Sequence, residues 1–138
     1  MGTPVRFVVP FLVGFSNAMN RLLRNPMCDA YFGGQGPSQM NQTTYRFIPL
    51  GGRSTGAATL SPTHVAINTG GIFLSPPPDG SFFLSGSRYS AGDGAGIQAF
   101  VLLHELGHQL DHNTGFMPDA GNTALNTRQS QAVLSACF

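Results

Sequence analysis

The sequence predicts an α+β fold, and three observations carry that prediction. Apolar residues recur three and four apart near both ends of the chain, as half-buried helices require. The middle breaks into short runs rich in Thr, Val, Ile and Phe, bounded by Gly and Pro, as strands are. From Ile97 a run of strong helix formers resumes. The predicted order is N-terminal helices, a small twisted sheet of about three strands, a long helix, a loop and a C-terminal helix. With 138 residues, 41% of them hydrophobic and 11 of them Phe, residues 1–138 are read as a single domain.

Each element has its own signal. Leu12, Phe15, Met19 and Leu22 keep helical spacing, so a helix is predicted over much of Val5 to Arg24. The opening MGTPVRFVVPFLVGFSNA, residues 1–18, also loosely matches a secretory signal, with Ser16-Asn17-Ala18 as a small-residue cleavage site. Pro10 interrupts that apolar run and the helical spacing continues past it, which favours a helix of the mature chain. Asn25-Pro26 reads as an N-cap followed by a first-turn proline, and Gly33-Gly34 as the stop of a short second helix. The stretch GGQGPSQMNQTT reads as loop. Strands are expected at Thr43 to Leu50, Thr63 to Leu74 and Ser81 to Leu84, separated by Gly51-Gly52, a Ser-Pro and the turn Pro76-Pro77-Pro78-Asp79-Gly80. The long helix is expected from Ile97 to about Asn113 with Gly115 beyond it, and the last helix from about Asn126.

Charge is scarce: 9% of residues, no lysine, and a net charge near +1. Without a basic patch, nucleic acid is not an expected partner. No apolar run reaches the roughly 18 residues of a membrane span. Cys28 and Cys137 are the only cysteines, and a disulfide between them would staple the early helices to the last one. Such a bond implies a secreted or periplasmic protein.

Against this neutral background, VLLHELGHQLDH (residues 101–112) concentrates three of the four histidines around the only glutamate, Glu105. His104-Glu105-Leu106-Gly107-His108 fits H-E-x-x-H on a helix. Residues four apart lie about 40° apart around the axis, so both imidazoles reach one ion while Glu105 reaches a water bound to it. The chemistry predicted from that spacing is hydrolysis, with Zn²⁺ as cofactor, His104 and His108 as metal ligands and Glu105 as general base.

This stretch resembles the active-site helix of the zincin metallopeptidases. The resemblance is specific over about five residues. It implies a minimal zincin-like domain and a zinc-dependent peptidase acting on a peptide or protein substrate. It also implies a sheet whose edge strand binds that substrate, a role that Thr63 to Leu74 is positioned to supply. The branch stays open. A second glutamate, the usual ligand of one branch, is absent, and the extended H-E-x-x-H-x-x-G-x-x-H of another fails at Asp111 and Thr114.

Three residues compete for the third metal position. His112 lies about 12 Å along a continuous helix from His104, which disfavours it unless the helix ends early. Asp119 is the first carboxylate after Gly115 lets the chain turn back, and His64 is a further option. HELGH followed by Asp119-Ala120-Gly121-Asn122 and a late Cys137 also resembles a pattern in uncharacterised bacterial proteins, which favours Asp119. Tyr89, Tyr45 and Arg88 are candidates for stabilising an oxyanion. Two other functions fit the same residues: a zinc-stabilised, non-catalytic binding domain with a fourth protein ligand such as His112, and a disulfide-held interaction module without metal.

Overall fold

The computed structural model describes residues 3–52 and 55–138, so Met1 and Gly2 of the signal-like stretch lie outside the described residues. The chain opens with helix α1 (Val5–Arg24), followed by α2 (Pro26–Tyr31) and α3 (Gly36–Gln42). Strands β1 (Thr44–Ile48), β2 (Ala57–Ser61) and β3 (His64–Asn68) form one sheet of order β1-β3-β2. β1 runs parallel to β3, and β2 antiparallel to it. A hairpin of β4 (Ser81–Leu84) and β5 (Ser87–Ser90) forms a second sheet. Helix α4 (Gly94–Gln109), the single turn α5 (Asp111–Thr114) and helix α6 (Thr123–Cys137) complete the α+β fold.

Alternation decides how the first sheet packs. Tyr45 and Phe47 of β1 turn toward α1, where the Phe11 and Tyr45 ring centroids lie 4.8 Å apart and those of Phe7 and Phe47 5.6 Å apart. β3 is central, and Val65, Ala66, Ile67 and Asn68 are all buried. α4 threads the core, and α1 crosses it where Gly14 meets Gln98.

Asn25 caps α2 as its sequence suggests, its side-chain oxygen accepting from the Met27 and Cys28 amides. The cap brings Cys28 to Cys137, and the two form a disulfide spanning 109 residues of sequence. In the chain-entropy account a loop of that length is worth about 4–5 kcal/mol. The same junction is closed by polar contacts: the Arg21 guanidinium donates to the Cys137 carbonyl at 2.7 Å and lies 3.7 Å from the Phe138 ring centroid. No helix among the described residues is long and apolar enough to cross a membrane.

Several expectations need correction. The stretch expected to be loop contains α3, begun by Pro37 in its first turn and held by the buried Met40. One apolar anchor in a polar heptamer leaves no readable period. The strand expected from Thr63 to Leu74 stops at Asn68, whose side chain gathers the loops around it. Its amide oxygen accepts from Leu50 N and Gly70 N, and its amide nitrogen donates to the Gly52 and Thr55 carbonyls. That strand is also interior to the sheet, so it cannot be the edge that binds substrate; the edges are β1 and β2. β2 and β5 carry too little alternation to be read from sequence. The long helix ends at Gln109 rather than Asn113, and α6 begins three residues before Asn126 because Asn122 caps it, accepting from Leu125 N.

Candidate metal centre

Helix α4 is started by Asp93, whose carboxylate accepts from Gly96 N at 2.7 Å. Beyond that cap all of α4 is buried except Gly94, Ala95 and His108, polar residues included. Burying polar groups without partners costs on the order of 1–3 kcal/mol each, so each needs one. Gln98 donates to the Phe73 carbonyl and Gln109 to Thr43 Oγ1 and the Pro62 carbonyl. His104 and Glu105 find theirs in the site.

The segment after α4 completes the site. Thr114 Oγ1 donates to the Gly107 carbonyl at 2.8 Å, and Gly115, in the left-handed region at φ 76°, turns the chain back along the helix. Phe116 then packs across Gly107 and against both imidazoles, with ring centroids 5.5 Å from His104 and 5.2 Å from His108. A β-carbon on Gly107 would stand 2.3 Å from the Phe116 ring, so only glycine admits this return. The glycine inside the motif is therefore a packing requirement of the segment that delivers Asp119.

Asp119 Oδ2 lies 3.1 Å from His104 Nε2 and 3.2 Å from His108 Nε2. One ligand atom from each of the three residues falls within 4.8 Å of the others. Two ligands at ordinary zinc distances and tetrahedral angles are about 3.3 Å apart, so this spacing suits a small cation. The tautomer suits one as well. Ser130 Oγ donates its single proton to Asn126 Oδ1 at 3.1 Å and therefore accepts from His104 Nδ1, also at 3.1 Å. With its proton on Nδ1, His104 turns the bare lone pair of Nε2 toward the carboxylate. A lone pair aimed at a carboxylate repels it unless a cation or a proton joins them, and with its ligand atoms this close the group can hold a metal ion.

Gln129 fixes the carboxylate. Its amide nitrogen donates to Asp119 Oδ2 at 3.1 Å and to the Met117 carbonyl, while its oxygen accepts from Met117 N at 2.7 Å. Burial pushes the Asp119 carboxyl up; where protons on the two imidazoles stand in for an ion, the hydrogen bonds and charges of His104 and His108 outweigh burial and hold the group below the usual carboxylate range. Glu105 sits beside the group, 7% exposed, and accepts from Thr59 Oγ1 of β2 at 2.9 Å.

All four residues line an open cleft of about 1330 Å³. Its walls are β2 and β4; its floor is one face of α4. The other sequence candidates lie elsewhere. His112 is 65% exposed beside Asp111, and His64 Nδ1 faces the hydroxyls of Ser61 and Thr63; neither joins the group. Arg88 pairs with Asp79, and Tyr89 accepts from Gln131. Tyr45 packs on Phe11 and Phe15, where burial pushes its hydroxyl above the ordinary range. None of these three lines the cleft.

Sequence reasoning does not single out Thr59, Gln129 or Ser130. Thr59 has no local signal. Asn126, Gln129 and Ser130 do have one, since spacings of three and four put a polar stripe along an otherwise core-facing helix. The chain matches no protein-family model, no curated protein and no solved structure, so the reading of this site rests on its own geometry.

Proposed function

We infer that the protein is a zinc-dependent peptidase of zincin type, with His104, His108 and Asp119 as metal ligands and Glu105 as general base. The observation that carries this reading is the placement of Glu105. It is the chain's only glutamate, buried directly beside a cation-competent group, at the floor of a cleft bounded by a strand edge with no partner strand among the described residues. A purely structural metal site has no use for a carboxylate there.

Zinc held by these residues would polarise the scissile carbonyl and lower the pKa of a bound water toward neutrality. Glu105 takes the proton from the attacking water and returns it to the leaving amine as the C–N bond breaks. Thr59 holds Oε1 by its hydroxyl, which aims the carboxylate and leaves Oε2 for the proton. His104 is oriented by Ser130, and Asp119 by Gln129. An extended substrate pairing its main chain with the open edge of β2 would lie in the cleft that His104, Glu105, His108 and Asp119 line. The disulfide supports a secreted or periplasmic setting.

The non-catalytic alternative, a metal closed by a fourth protein ligand, is disfavoured by the exposure of His112 away from the group. The test is direct. Metal analysis of purified protein should find zinc. End-blocked fluorogenic peptides should be cleaved by the wild type, and not after chelation or in Glu105→Gln. Zinc without turnover would return the protein to the binding-domain reading, and absence of zinc to the disulfide-held module.

A further inference from the structure

The cleft holds more than the metal group, and its walls bear on what enters it. β2 lines it along its whole length while its partner β3 does not, and β4 lines it along its whole length while β5 does not. Both walls therefore present strands whose second edge has no partner strand among the described residues, and their free amides and carbonyls suit an extended backbone.

The floor is apolar on one side of the metal group. Ile97, Phe100 and Val101, one to two turns before His104 and Glu105 on α4, line the cleft, and Phe82 stacks on Phe100 with centroids 4.9 Å apart. Both rims carry a large apolar side chain left in water. Leu60 is 54% exposed and Phe83 68% exposed. Leu60 is the extra residue of a β-bulge, where the register shifts between Thr59 and Ser61; a bulge is a common device for re-aiming a side chain beside a site. Phe83 belongs to β4, the other free-edged strand that lines the cleft.

Charge narrows the choice. Besides the two histidines, the charged groups among the described lining residues are Glu105, Asp111 and Asp119, all acidic. None is an arginine. Away from the metal group, no cationic side chain among the described lining residues pairs with a substrate's terminal carboxylate or with an acidic side chain, and Asp111 at the mouth opposes both.

Resting on the peptidase reading above, we propose that the cleft takes an internal, extended stretch of polypeptide with a large apolar side chain beside the cleaved bond. Leu60 and Phe83 are the specificity-determining residues that grip this side chain from the two rims. The enzyme is on this account an endopeptidase.

Binding tests the proposal apart from turnover. Zinc-loaded Glu105→Gln protein is titrated, with fluorescence anisotropy as readout, against labelled end-blocked decapeptides differing at one central position: Phe, Ser or Asp. The Phe peptide should bind about tenfold more tightly than the Ser peptide, with the Asp peptide weakest. Leu60→Ser and Phe83→Ser should each weaken binding of the Phe peptide about three- to tenfold, leaving the Ser peptide, the zinc content and the melting temperature unchanged. Equal affinity for the three peptides, or indifference to both substitutions, overturns the proposal. If the wild type cleaves end-blocked peptides without apolar preference, the specificity claim alone falls. If nothing binds and nothing is cleaved, the peptidase reading falls with it.

Discussion

Helices α1 and α4 cross at Gly14, yet they meet solvent in opposite ways. α1 buries only Gly14, Ala18 and Leu22 and leaves Val5, Val9, Leu12 and Val13 exposed. α4 buries nearly everything, including Gln98, His104, Glu105 and Gln109. In α1 the apolar side chains are cheap decoration around a narrow seam. In α4 polar groups are buried at a cost that only specific partners offset, and each has one: a main-chain carbonyl, Thr59, Ser130 or the Asp119 carboxylate. Exposure of apolar residues on α1 thus says little, whereas burial of polar ones on α4 locates the site.

If that contrast is right, substitutions along α4 should be far costlier than on α1. The largest effect is expected at Glu105. Replacement by Gln keeps the shape and the Thr59 contact but removes the base, and should lower kcat about 10²–10⁴-fold with zinc content and thermal stability nearly unchanged. Steady-state kinetics beside metal analysis checks it, and a parallel loss of zinc would mean that Glu105 is structural.

Gly107→Ala comes next. Its new methyl meets the Phe116 ring at 2.3 Å, so the return segment must shift. We expect a destabilisation of about 1–3 kcal/mol in urea melts, together with weaker zinc binding as Asp119 moves. Ser130→Ala is predicted to be milder for the fold but to weaken zinc affinity about 10–100-fold by freeing the His104 ring, measurable by chelator competition. On α1, Leu12→Ser should change stability by no more than about 0.5 kcal/mol. A larger loss there would break the contrast, since it would mean that the outer face of α1 is covered in solution.

The two helices are not equally legible in the sequence. α1 is readable to its ends because periodicity is strong over its length, and α2 because Asn25 and Pro26 are local signals. The H-E-x-x-H motif places His104, Glu105 and His108 on one helix because i, i+4 spacing is itself a geometric statement. The chain beyond the helix is harder. The return at Gly115 is readable as a permitted turn, and Asp119 as one option among three, but the fit of Phe116 over Gly107 is a tertiary fact with no local trace. The edge of the sheet is hidden for a similar reason. Ala57-Ala58-Thr59-Leu60-Ser61 lacks the bulky alternation of a half-buried strand, since its partners are the helix on one side and an open cleft on the other. β2, proposed to bind substrate, is thus one of the strands that sequence conceals. α3 escapes because one buried methionine is too little to set a period.

A cation shared by His104, His108 and Asp119 underlies every step of the proposed chemistry, and zinc binding by chelator competition tests it most directly. The prediction is about one zinc per chain. Affinity should fall in Asp119→Ala and in His108→Ala by more than the roughly 10–100-fold caused by losing an outer partner such as Ser130. Zinc bound with undiminished affinity after both substitutions, or no zinc bound by the wild type, would contradict it.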